Sequence, residues 1–460
     1  MPGDGPVTTG PITPDHVVIV GGGFSGTLLA INLLRYDTLR VTLVERARTQ
    51  VGKGLAYGAA GTGHVLNVRA ANMSAFPDDP QHFAQWLDRQ QAGAATSFAT
   101  RAHYGIYLAG LLEQARQEAG DRLTIMHDEA VVLTGAHNRP TVTLASGGEV
   151  RGDTVILAPG NLPPHDLSAF AGFGAPTYFR DPWSPDLSEG LEADDTVLLL
   201  GSGLTAVDCI LSLHSVGFMG RIVAMSRRGL MPHVHAAGPP LLPLGERPSG
   251  TGPALIRHVR ARAALVGWRN AVDELRPHTQ DIWRRAGLRA RTRFLRHLRP
   301  YWDVHRHRIA PEVAERLSTM QAAGRLLLRA GKIVDAAPWP GGVDVIWRPR
   351  GDDAPQQLRA ARVVNCTGPL GDLGRVEDAL LRDLVARGTI RPDALSIGID
   401  VDRQGRALKA DGTPNPRLFV AGPMTRGAHW EIVAVPDIRR QVWDLARYLT
   451  GSHWVGAEGL

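Results

Sequence analysis

A glycine-rich turn near the start of the chain carries the first chemical signal. Residues 21–26 read GGGFSG, a GxGxxG pattern, between the apolar runs 16–20 and 40–44, and the second run leads into Glu45. In such a strand–turn–helix–strand unit the glycines permit a tight turn, admit a pyrophosphate and let the helix pack on the strand. The helix N-terminus offers free N–H groups to phosphate, and the acid accepts hydrogen bonds from a ribose. We predict a dinucleotide site, with FAD preferred over a nicotinamide because a second such unit follows.

The second turn has the same form but a different ending. Residues 201–206 read GSGLTA, a GxGxxA pattern after the apolar run 195–200, and the next run, 221–225, leads into Ser226, Arg227 and Arg228. An acid at this place binds the free ribose hydroxyls of NAD, whereas arginine accommodates the additional 2′-phosphate of NADP. We predict NADPH here in preference to NADH. The alternative is that both arginines belong to a solvated loop.

Three later segments end apolar runs beside glycine. Residues 153–160 end in Ala-Pro-Gly, residues 362–368 in Cys-Thr-Gly, and residues 417–423 in Ala-Gly-Pro. In flavoproteins with two dinucleotide sites, turns like the first two pass the chain between domains, and a late strand like the third ends at the flavin. Many such proteins have Asp where Pro423 stands, so the usual contact with the flavin ribityl chain is not expected. Residues 435–449 are predicted to form an amphipathic helix directed at the flavin.

These units predict an α/β protein with two dinucleotide-binding, Rossmann-like domains of the flavoprotein monooxygenase/disulfide-reductase type and a helical insertion. Residues 14–165 and 365–460 are expected to form a discontinuous FAD-binding domain. Residues 166–364 are expected to form an NADP-binding domain, with an Arg-rich helical insertion at about 251–323. Residues 1–13 are interpreted as a disordered leader.

Charge and composition restrict the remaining classes. The net charge of the 460-residue chain is +6, but residues 257–308 alone contain fourteen Arg and four acidic residues, a local net charge of +10. We find no apolar run long enough to cross a bilayer and no signal peptide, so a cytoplasmic location is expected. The two cysteines, Cys209 and Cys366, lie far apart in sequence, which argues against a disulfide framework and against disulfide-reductase chemistry.

Local strings elsewhere extend these signals across almost the whole chain after the leader. They are GLAYG at 54–58, HVLNV at 64–68, YGIYL at 104–108, GLTAVD at 203–208, WDVHRHR at 302–308 and RGAHWE at 426–431. With the two turns, they resemble a bacterial family of FAD/NAD(P)-binding proteins that includes FAD-dependent urate hydroxylases and L-aspartate N-monooxygenases. The resemblance implies a monooxygenase cycle in which NADPH reduces FAD and the reduced flavin captures dioxygen as a C4a-(hydro)peroxide. The cofactor then carries the chemistry, and the protein supplies orientation, electrostatics and exclusion of water.

Polar residues near the flavin are sought in three segments. The loop after the first unit contains Lys53, Tyr57, His64, Asn67 and Met73. Asn67 and His64 are interpreted as groups that contact the flavin edge or a peroxide, or else cap turns. Arg426 and His429 are placed to stabilise negative charge on reduced flavin, or belong to a structural turn. The string 302–308 is interpreted as an anion site or an ion-paired helix face, and its arginines argue against a metal site.

The predicted site therefore has a catalytic and a cofactor-binding part. The predicted catalytic residues are Asn67, Arg426 and His429. The predicted cofactor-binding residues are Gly21, Gly23, Phe24, Ser25, Gly26, Glu45, Arg46, Asn67, Gly160, Gly201, Gly203, Leu204, Thr205, Arg227, Arg228 and Gly422.

The first predicted function is an FAD-dependent, NADPH-consuming monooxygenase that hydroxylates a small polar, anionic metabolite. Urate is the first candidate, because positive charge attracts an anion. The alternatives are N-hydroxylation of an amino acid such as L-aspartate, and an FAD/NADPH oxidoreductase without oxygen transfer. From another class, a basic redox sensor that binds nucleic acid is also considered, but the insertion lacks a nucleic-acid-binding motif. The expected partners are the small-molecule substrate and dioxygen, with no nucleic acid and no membrane; the oligomeric state is left open.

Overall fold

Two sheets, one behind each glycine-rich turn, organise the chain. The computed structural model describes residues 13–36, 38–58, 63–90, 97–236, 248, 250 and 252–452. The leader prediction, apart from residue 13, therefore lies outside the described residues. The α/β fold class with two dinucleotide-binding sheets is confirmed.

The first sheet has six strands and contains the first turn. Its strands are β1 (His16–Val20), β2 (Arg40–Val44), β3 (Leu123–Met126), β7 (Thr154–Leu157), β15 (Arg406–Leu408) and β16 (Pro414–Val420). They are ordered β15-β16-β7-β1-β2-β3, and every pair is parallel except β15 with β16. The middle of β1 and all of β7 are buried, because hydrophobic layers cover both faces of this parallel sheet.

The second sheet has seven strands and contains the second turn. Its strands are β8 (Tyr178–Phe179), β9 (Thr196–Leu200), β10 (Arg221–Ser226), β11 (Leu326–Trp339), β12 (Gly342–Pro349), β13 (Gln356–Ala360) and β14 (Arg362–Asn365). The order is β13-β12-β11-β10-β9-β14-β8. Strands β8 to β11 and β14 are parallel, whereas β11, β12 and β13 form an antiparallel meander. A small antiparallel sheet consists of β4 (Ala130–Thr134), β5 (Thr141–Leu144) and β6 (Glu149–Arg151).

Thirteen α-helices occur in the described ranges. They are α1 (Phe24–Leu34), α2 (Gly54–Gly58), α3 (His82–Gln90), α4 (Arg101–Ala119), α5 (Leu204–Ser215), α6 (Pro253–Val266), α7 (Trp268–Asp273), α8 (Thr279–Arg285), α9 (Leu288–Arg293), α10 (Arg299–Arg306), α11 (Pro311–Ala322), α12 (Ala379–Ala386) and α13 (Val435–Leu449). A π-helical turn, Phe294–Leu298, joins α9 to α10. Within the described ranges, no helix combines the length and apolarity needed to span a membrane.

Sequence patterns located several of these elements closely. The predicted strands 16–20 and 40–44 and the predicted helix 435–449 coincide with β1, β2 and α13. Helices α1 and α5 each start directly after the middle glycine of the glycine-rich turn that precedes them. The stretch predicted as a helical insertion contains helices α6 to α11.

Candidate functional site

The two glycine-rich turns are built in the same way. Gly21 has φ +107° and donates its N–H to the carbonyl of Val44, at 2.8 Å. Gly201 has φ +130° and donates to the carbonyl of Met225, at 2.7 Å. In each case the turn glycine is tied to the last or next-to-last residue of the neighbouring strand. Both positions need glycine, because side-chain-bearing residues rarely adopt such dihedrals.

The returning strands hold each turn from the other side. A Cβ added to Gly21 would lie 2.2 Å from the carbonyl oxygen of Ala158, the residue after β7. A Cβ added to Gly201 would lie 2.3 Å from the carbonyl oxygen of Cys366, the residue after β14. The segments that were singled out as inter-domain turns therefore close against the glycine-rich turns of their own sheets.

Both helices after the turns begin on an uncapped glycine. Gly23 and Gly203 precede α1 and α5 with nearly the same extended backbone, φ −74° and −85°, and neither helix start has a side-chain cap. A Cβ on Gly203 would have no atom within 4 Å, and a Cβ on Gly23 would lie 3.4 Å from the Cα of Gly54. Uncapped N–H groups at a helix start fit a phosphate, so the residues present fit a dinucleotide at each turn.

Glu45 sits beside the first turn, as the ribose-binding prediction requires. Its Oε2 accepts the backbone N–H of Gly22 at 2.8 Å, and its Oε1 accepts that of Ala47 at 2.9 Å. These bonds fix the carboxylate at the strand end and leave its remaining lone pairs for further donors. Arg46 points elsewhere, because its guanidinium forms an ion pair with Glu129 at 3.1 Å.

The arginines after β10 differ from each other. Arg227 is exposed, and among the described residues no acid lies within 4.0 Å of its guanidinium. Arg228 lies over the ring of Tyr301, 5.6 Å from its centroid. The side chain of Ser226 bonds to Ser202 of the turn at 2.8 Å. An unpaired guanidinium therefore flanks the second turn, where the first turn has a carboxylate.

The end of the late strand contacts the first turn. Gly422, with φ +83°, lies so close to Ser25 that an added Cβ would be 2.4 Å from its Oγ. The N–H of Gly422 donates to Gln441 of α13 at 2.7 Å, and Pro423 begins a buried 3-10 turn. The strand β16, the turn before α1 and helix α13 thus meet at the carboxyl edge of the first sheet, where open α/β sheets bind their ligands.

Two residues of the loop after Glu45 pack with the hydrophobic core, Met73 as a buried residue and Tyr57 as a half-buried one. The ring of Tyr57 packs 4.8 Å from Tyr104 and 5.9 Å from Phe24, and burial raises the pKa of Tyr57 to about 12. Met73 is 2% exposed within the same hydrophobic core. Met73 therefore belongs to this core, and Tyr57 packs against it. Asn67 is half-buried, and its carbonyl accepts a bond from His235 at 2.9 Å.

His64 contacts the second sheet's helix rather than an open cleft. Its Nε2 lies 2.8 Å from the Oγ of Ser212 and 3.1 Å from the carbonyl of Asp208, both on α5. Asp208 in turn pairs with Arg101 at 2.8 Å. Burial lowers the pKa of His64, so its ring is neutral at physiological pH. The contacts match the structural alternative given for this residue.

The string 426–431 and the helical insertion come together. The indole N–H of Trp283, on α8, donates to the carbonyl of Gly427 at 2.9 Å, and the ring of Trp283 stacks on that of Trp430 at 4.7 Å. The indole N–H of Trp302, on α10, donates to Glu431 at 2.7 Å. Two segments that are 129 residues apart in sequence, and that sequence patterns had singled out separately, thus form one contact.

Glu431 is the centre of this contact. It is buried, at 4% exposure, and has φ +70°, which is rare for a residue with a side chain. Its Oε2 lies 3.1 Å from the Nε of Arg306 as an ion pair, although the two atoms are not aligned for a hydrogen bond. His307 is 3.9 Å away, and burial lowers the pKa of its ring. Such strain persists only where the surroundings hold it.

Arg426 has no acidic partner within 4.0 Å among the described residues. Burial, reinforced by the charge of Arg299, lowers the pKa of Arg426 to about 10, so it is still a cation at neutral pH. Burial and the charge of Arg284 lower the pKa of His429, which keeps its imidazole neutral. A half-buried cation without an acidic partner fits the stabilisation of negative charge.

A polar cavity at the start of α13 was missed by the sequence reasoning. It measures about 330 Å³ and is lined by Asn72, Arg276, Pro277, Gln280, Pro436, Asp437 and Arg439. These side chains come from three distant segments, so no local spacing could reveal them. The only local signal was an acid in the first turn of a helix already assigned to the flavin site.

The two cysteines are also closer than expected. The Sγ atoms of Cys209 and Cys366 lie 3.6 Å apart as free, buried thiols. The hydrogen bond between the two thiols, and then burial, raise the pKa of Cys209 well above its ordinary value. The distance between Cys209 and Cys366 in the sequence gave no sign of this contact, and both cysteines are free.

Comparisons with known proteins give the fold a reference. Residues 18–162 match a family model described as FAD-NAD(P)-binding. No curated protein sequence matches the chain. Among solved structures, the reduced form of ornithine hydroxylase (PvdA) from Pseudomonas aeruginosa is 14% identical, with 95% of this chain and 99% of that chain covered and a TM-score of 0.64.

Two further structures cover the chain as fully. The ornithine N-hydroxylase KtzI from Kutzneria sp. 744, in complex with reduced FAD, NADP+ and L-ornithine, is 16% identical, with 96% of this chain and 99% of that chain covered and a TM-score of 0.67. L-lysine 6-monooxygenase from Pseudomonas syringae is 17% identical, with 96% and 100% covered and a TM-score of 0.65. This chain therefore has the two-sheet flavoprotein monooxygenase fold, with an FAD-NAD(P)-binding domain at residues 18–162.

Proposed function

We propose that this protein is an FAD- and NADPH-dependent monooxygenase acting on a small polar metabolite. The observation that carries the proposal is the repeated turn. Two glycine-rich turns with matching dihedrals, strand bonds and uncapped helix starts face the carboxyl edges of two parallel sheets. Two such sites in one molecule suit a protein that moves electrons from a nicotinamide to a flavin.

The first turn is proposed to hold FAD and the second NADPH. Glu45 would receive the ribose hydroxyls of FAD, and the uncapped start of α1 its pyrophosphate. Arg227 would pair with the 2′-phosphate of NADPH at the second turn, since no acid of the described residues occupies it. The corresponding domains are proposed at residues 14–165 with 365–460, and at residues 166–364.

Bound FAD, once reduced by NADPH, supplies the activation of dioxygen, and the chain's own residues prepare the surroundings. Arg426 would hold negative charge near the reacting centre, because it is a half-buried cation without an acidic partner within 4.0 Å among the described residues. Water would be excluded between the helical insertion and the segment after the late strand, because the rings of Trp283 and Trp430 stack there and Glu431 is buried.

Two classes of substrate are candidates for this monooxygenase. Urate is the first candidate, because an anion suits the cations Arg426 and Arg276. N-hydroxylation of an amino acid is the second, favoured by structural neighbours that are named ornithine hydroxylase, ornithine N-hydroxylase and L-lysine 6-monooxygenase. Both would place a polar, charged molecule in the same cleft.

The test uses FAD-reconstituted protein with NADPH and each candidate in turn. Nicotinamide absorbance, oxygen, peroxide and substrate are followed together, with hydroxylamine and nitrite measured for the amino acids. We expect one substrate to accelerate NADPH oxidation with matching substrate loss and little peroxide. Oxidation that no candidate accelerates, with all consumed oxygen recovered as peroxide, would leave an NADPH oxidase and contradict the monooxygenase proposal.

A further inference from the structure

A buried polar contact joins the two parts of the chain that contain the two sheets. His64 and Arg101, on one side of it, lie between strands β2 and β3 of the first sheet. Asp208 and Ser212, on the other side, belong to α5, which follows the glycine-rich turn of the second sheet. Residues four apart lie on the same face of a helix, so both side chains can contact the same neighbour. Helix α5 is therefore held by residues of the first-sheet part.

Backbone bonds hold His64 and Arg101 side by side. The N–H of Arg101 donates to the carbonyl of His64 at 2.8 Å, and Val65 forms an antiparallel bridge with Thr100. The side chains of Val65 and Phe98 pack against the hydrophobic core beside the second sheet. These two short segments thus form one support, whose polar side chains contact α5.

The contact consists of an ion pair and a histidine hydrogen bond, both shielded from water. The Nη2 of Arg101 lies 2.8 Å from the Oδ2 of Asp208, and the two side chains are 13% and 7% exposed. The Nε2 of His64, a residue that is 2% exposed, lies 2.8 Å from the Oγ of Ser212. Trp183 covers the guanidinium, whose carbon is 6.0 Å from the centroid of its ring. Solvent screens such a buried pair much less than an exposed one.

The charge on Asp208 depends on Arg101. Burial raises the pKa of Asp208, and the charges of Arg101 and then His64 oppose this shift. A buried carboxyl group that loses its partner takes up a proton instead of staying charged. Removing Arg101 would therefore break the ion pair without leaving an isolated negative charge in the core.

Asp208 lies one turn along the helix whose start is the proposed NADPH site. Helix α5 begins at Leu204, so Asp208 is four residues, or about 6 Å, further along its axis. The backbone hydrogen bonds of one helical turn connect the two residues. A contact that holds Asp208 against the first-sheet part therefore also holds the uncapped start of α5.

We propose that Asp208 is a positioning residue, which through Arg101 holds the start of α5 in a fixed orientation to the first glycine-rich turn. The inference rests on the proposed function and deepens it, because the two turns are the proposed NADPH and FAD sites. Asp208 is not among the residues proposed to bind NADPH. Its loss should therefore leave the affinity for NADPH intact and disturb the alignment of the two cofactors, on which the rate of transfer depends.

The first test separates alignment from affinity. FAD-loaded Asp208→Asn is mixed anaerobically with NADPH, and one stopped-flow series gives the flavin reduction rate constant at saturation and the Kd. We expect the rate constant to fall about ten- to a hundredfold, because a misplacement of about 1 Å can have this effect, and the Kd to stay that of the wild type. The long-wavelength absorbance that reports stacking of the nicotinamide on the flavin should weaken in parallel.

The matched control is Glu274→Gln. The side chain of Glu274 is 10% exposed and pairs with Arg262 at 2.9 Å, but both residues belong to the helical insertion and do not join the two sheets. Its reduction rate constant should equal that of the wild type. Arg101→Gln should behave as Asp208→Asn does, and Arg101→Lys, which keeps the charge, should recover part of the rate. These two variants decide the matter if Asp208→Asn does not take up FAD.

The second test needs no turnover. Hydrogen exchange is followed in FAD-loaded protein without NADPH, where local opening exposes amides to solvent. Asp208→Asn should speed exchange in residues 64–69, in residues 97–101 and in α5, whereas Glu274→Gln should leave all three segments unchanged.

The outcomes separate this inference from the proposed function. If Asp208→Asn equals Glu274→Gln in rate constant and in exchange, the positioning role is wrong although NADPH still reduces the flavin. If Asp208→Asn raises the Kd for NADPH and leaves the rate constant at saturation unchanged, Asp208 contributes to binding and the inference is again wrong. If NADPH fails to reduce the flavin of the wild type, the proposed function fails, and the positioning role fails with it.

Discussion

Replacing Gly203 by alanine should weaken NADPH binding without weakening the fold. The position has φ −85°, which alanine adopts freely, and the added Cβ would have no atom within 4 Å. The folded chain therefore has room for the methyl group, and stability should change by less than about 1 kcal/mol, as for other helix-start glycines. The same empty space is where we propose that the pyrophosphate approaches the start of α5.

The size of the effect follows from overpacking. A methyl group inserted into a close contact costs about 1–3 kcal/mol, so the Kd for NADPH should rise by roughly ten- to a hundredfold. The Kd is measured by anaerobic stopped-flow, from the dependence of the flavin reduction rate on NADPH concentration. The FAD content of the variant should remain that of the wild type, because the first turn is untouched.

The matched control is Gly287→Ala. Gly287 also starts a helix, has φ −64° and faces empty space, but it lies outside both proposed sites. Gly201→Ala gives the opposite contrast, since its Cβ would lie 2.3 Å from the oxygen of Cys366 at φ +130°, and the fold itself should lose stability. If Gly203→Ala and Gly287→Ala bind NADPH equally well, the phosphate does not approach Gly203 and the reasoning on the second turn is refuted.

Three further predictions concern charge. Arg227→Ala should lower the ratio of kcat/KM for NADPH to kcat/KM for NADH about tenfold, because one charged contact with the 2′-phosphate is lost. An unchanged ratio would show that the 2′-phosphate does not bind at Arg227. Burial raises the pKa of Asp437 from 3.8 to about 6, so the folded state binds this proton more tightly than the unfolded state and loses stability as the pH rises through 6. The free energy of unfolding of Asp437→Asn should therefore exceed that of the wild type by up to about 3 kcal/mol at pH 8 and should equal it near pH 3. Denaturant unfolding at the two pH values measures this difference. Both Cys209 and Cys366 should resist a thiol reagent until the protein is unfolded, because their thiols are buried and that of Cys209 has a raised pKa; rapid labelling of the native protein would contradict this environment.

Sequence patterns recovered the parts of the fold that rest on local rules. The strands beside Glu45 and helix α13 were located to the residue, because an apolar run between turn signals fixes a buried strand, and a 3.6-residue period fixes a helix. The glycines of both turns were recognised because only glycine reaches the dihedrals found at Gly21 and Gly201.

What escaped the sequence depends on contacts between distant segments. Cys209 and Cys366 are 157 residues apart, yet parallel pairing of β9 with β14 brings them together. The cavity with Arg276 and Asp437 joins residues from the insertion and the last helix. Such contacts follow from topology, and a single sequence gives no measure of them.

The position of β16 has a consequence for how the protein is made. Strand β7 is fully buried and pairs with β1 on one side and β16 on the other, but β16 is among the last strands to leave the ribosome. The second sheet lies wholly between these two strands in sequence and can be completed first. Until synthesis nears its end, β7 exposes an apolar, unpaired edge of the kind that attracts other chains. We expect the yield of soluble protein to depend on chaperone capacity during translation, and a fragment ending before residue 406 to aggregate.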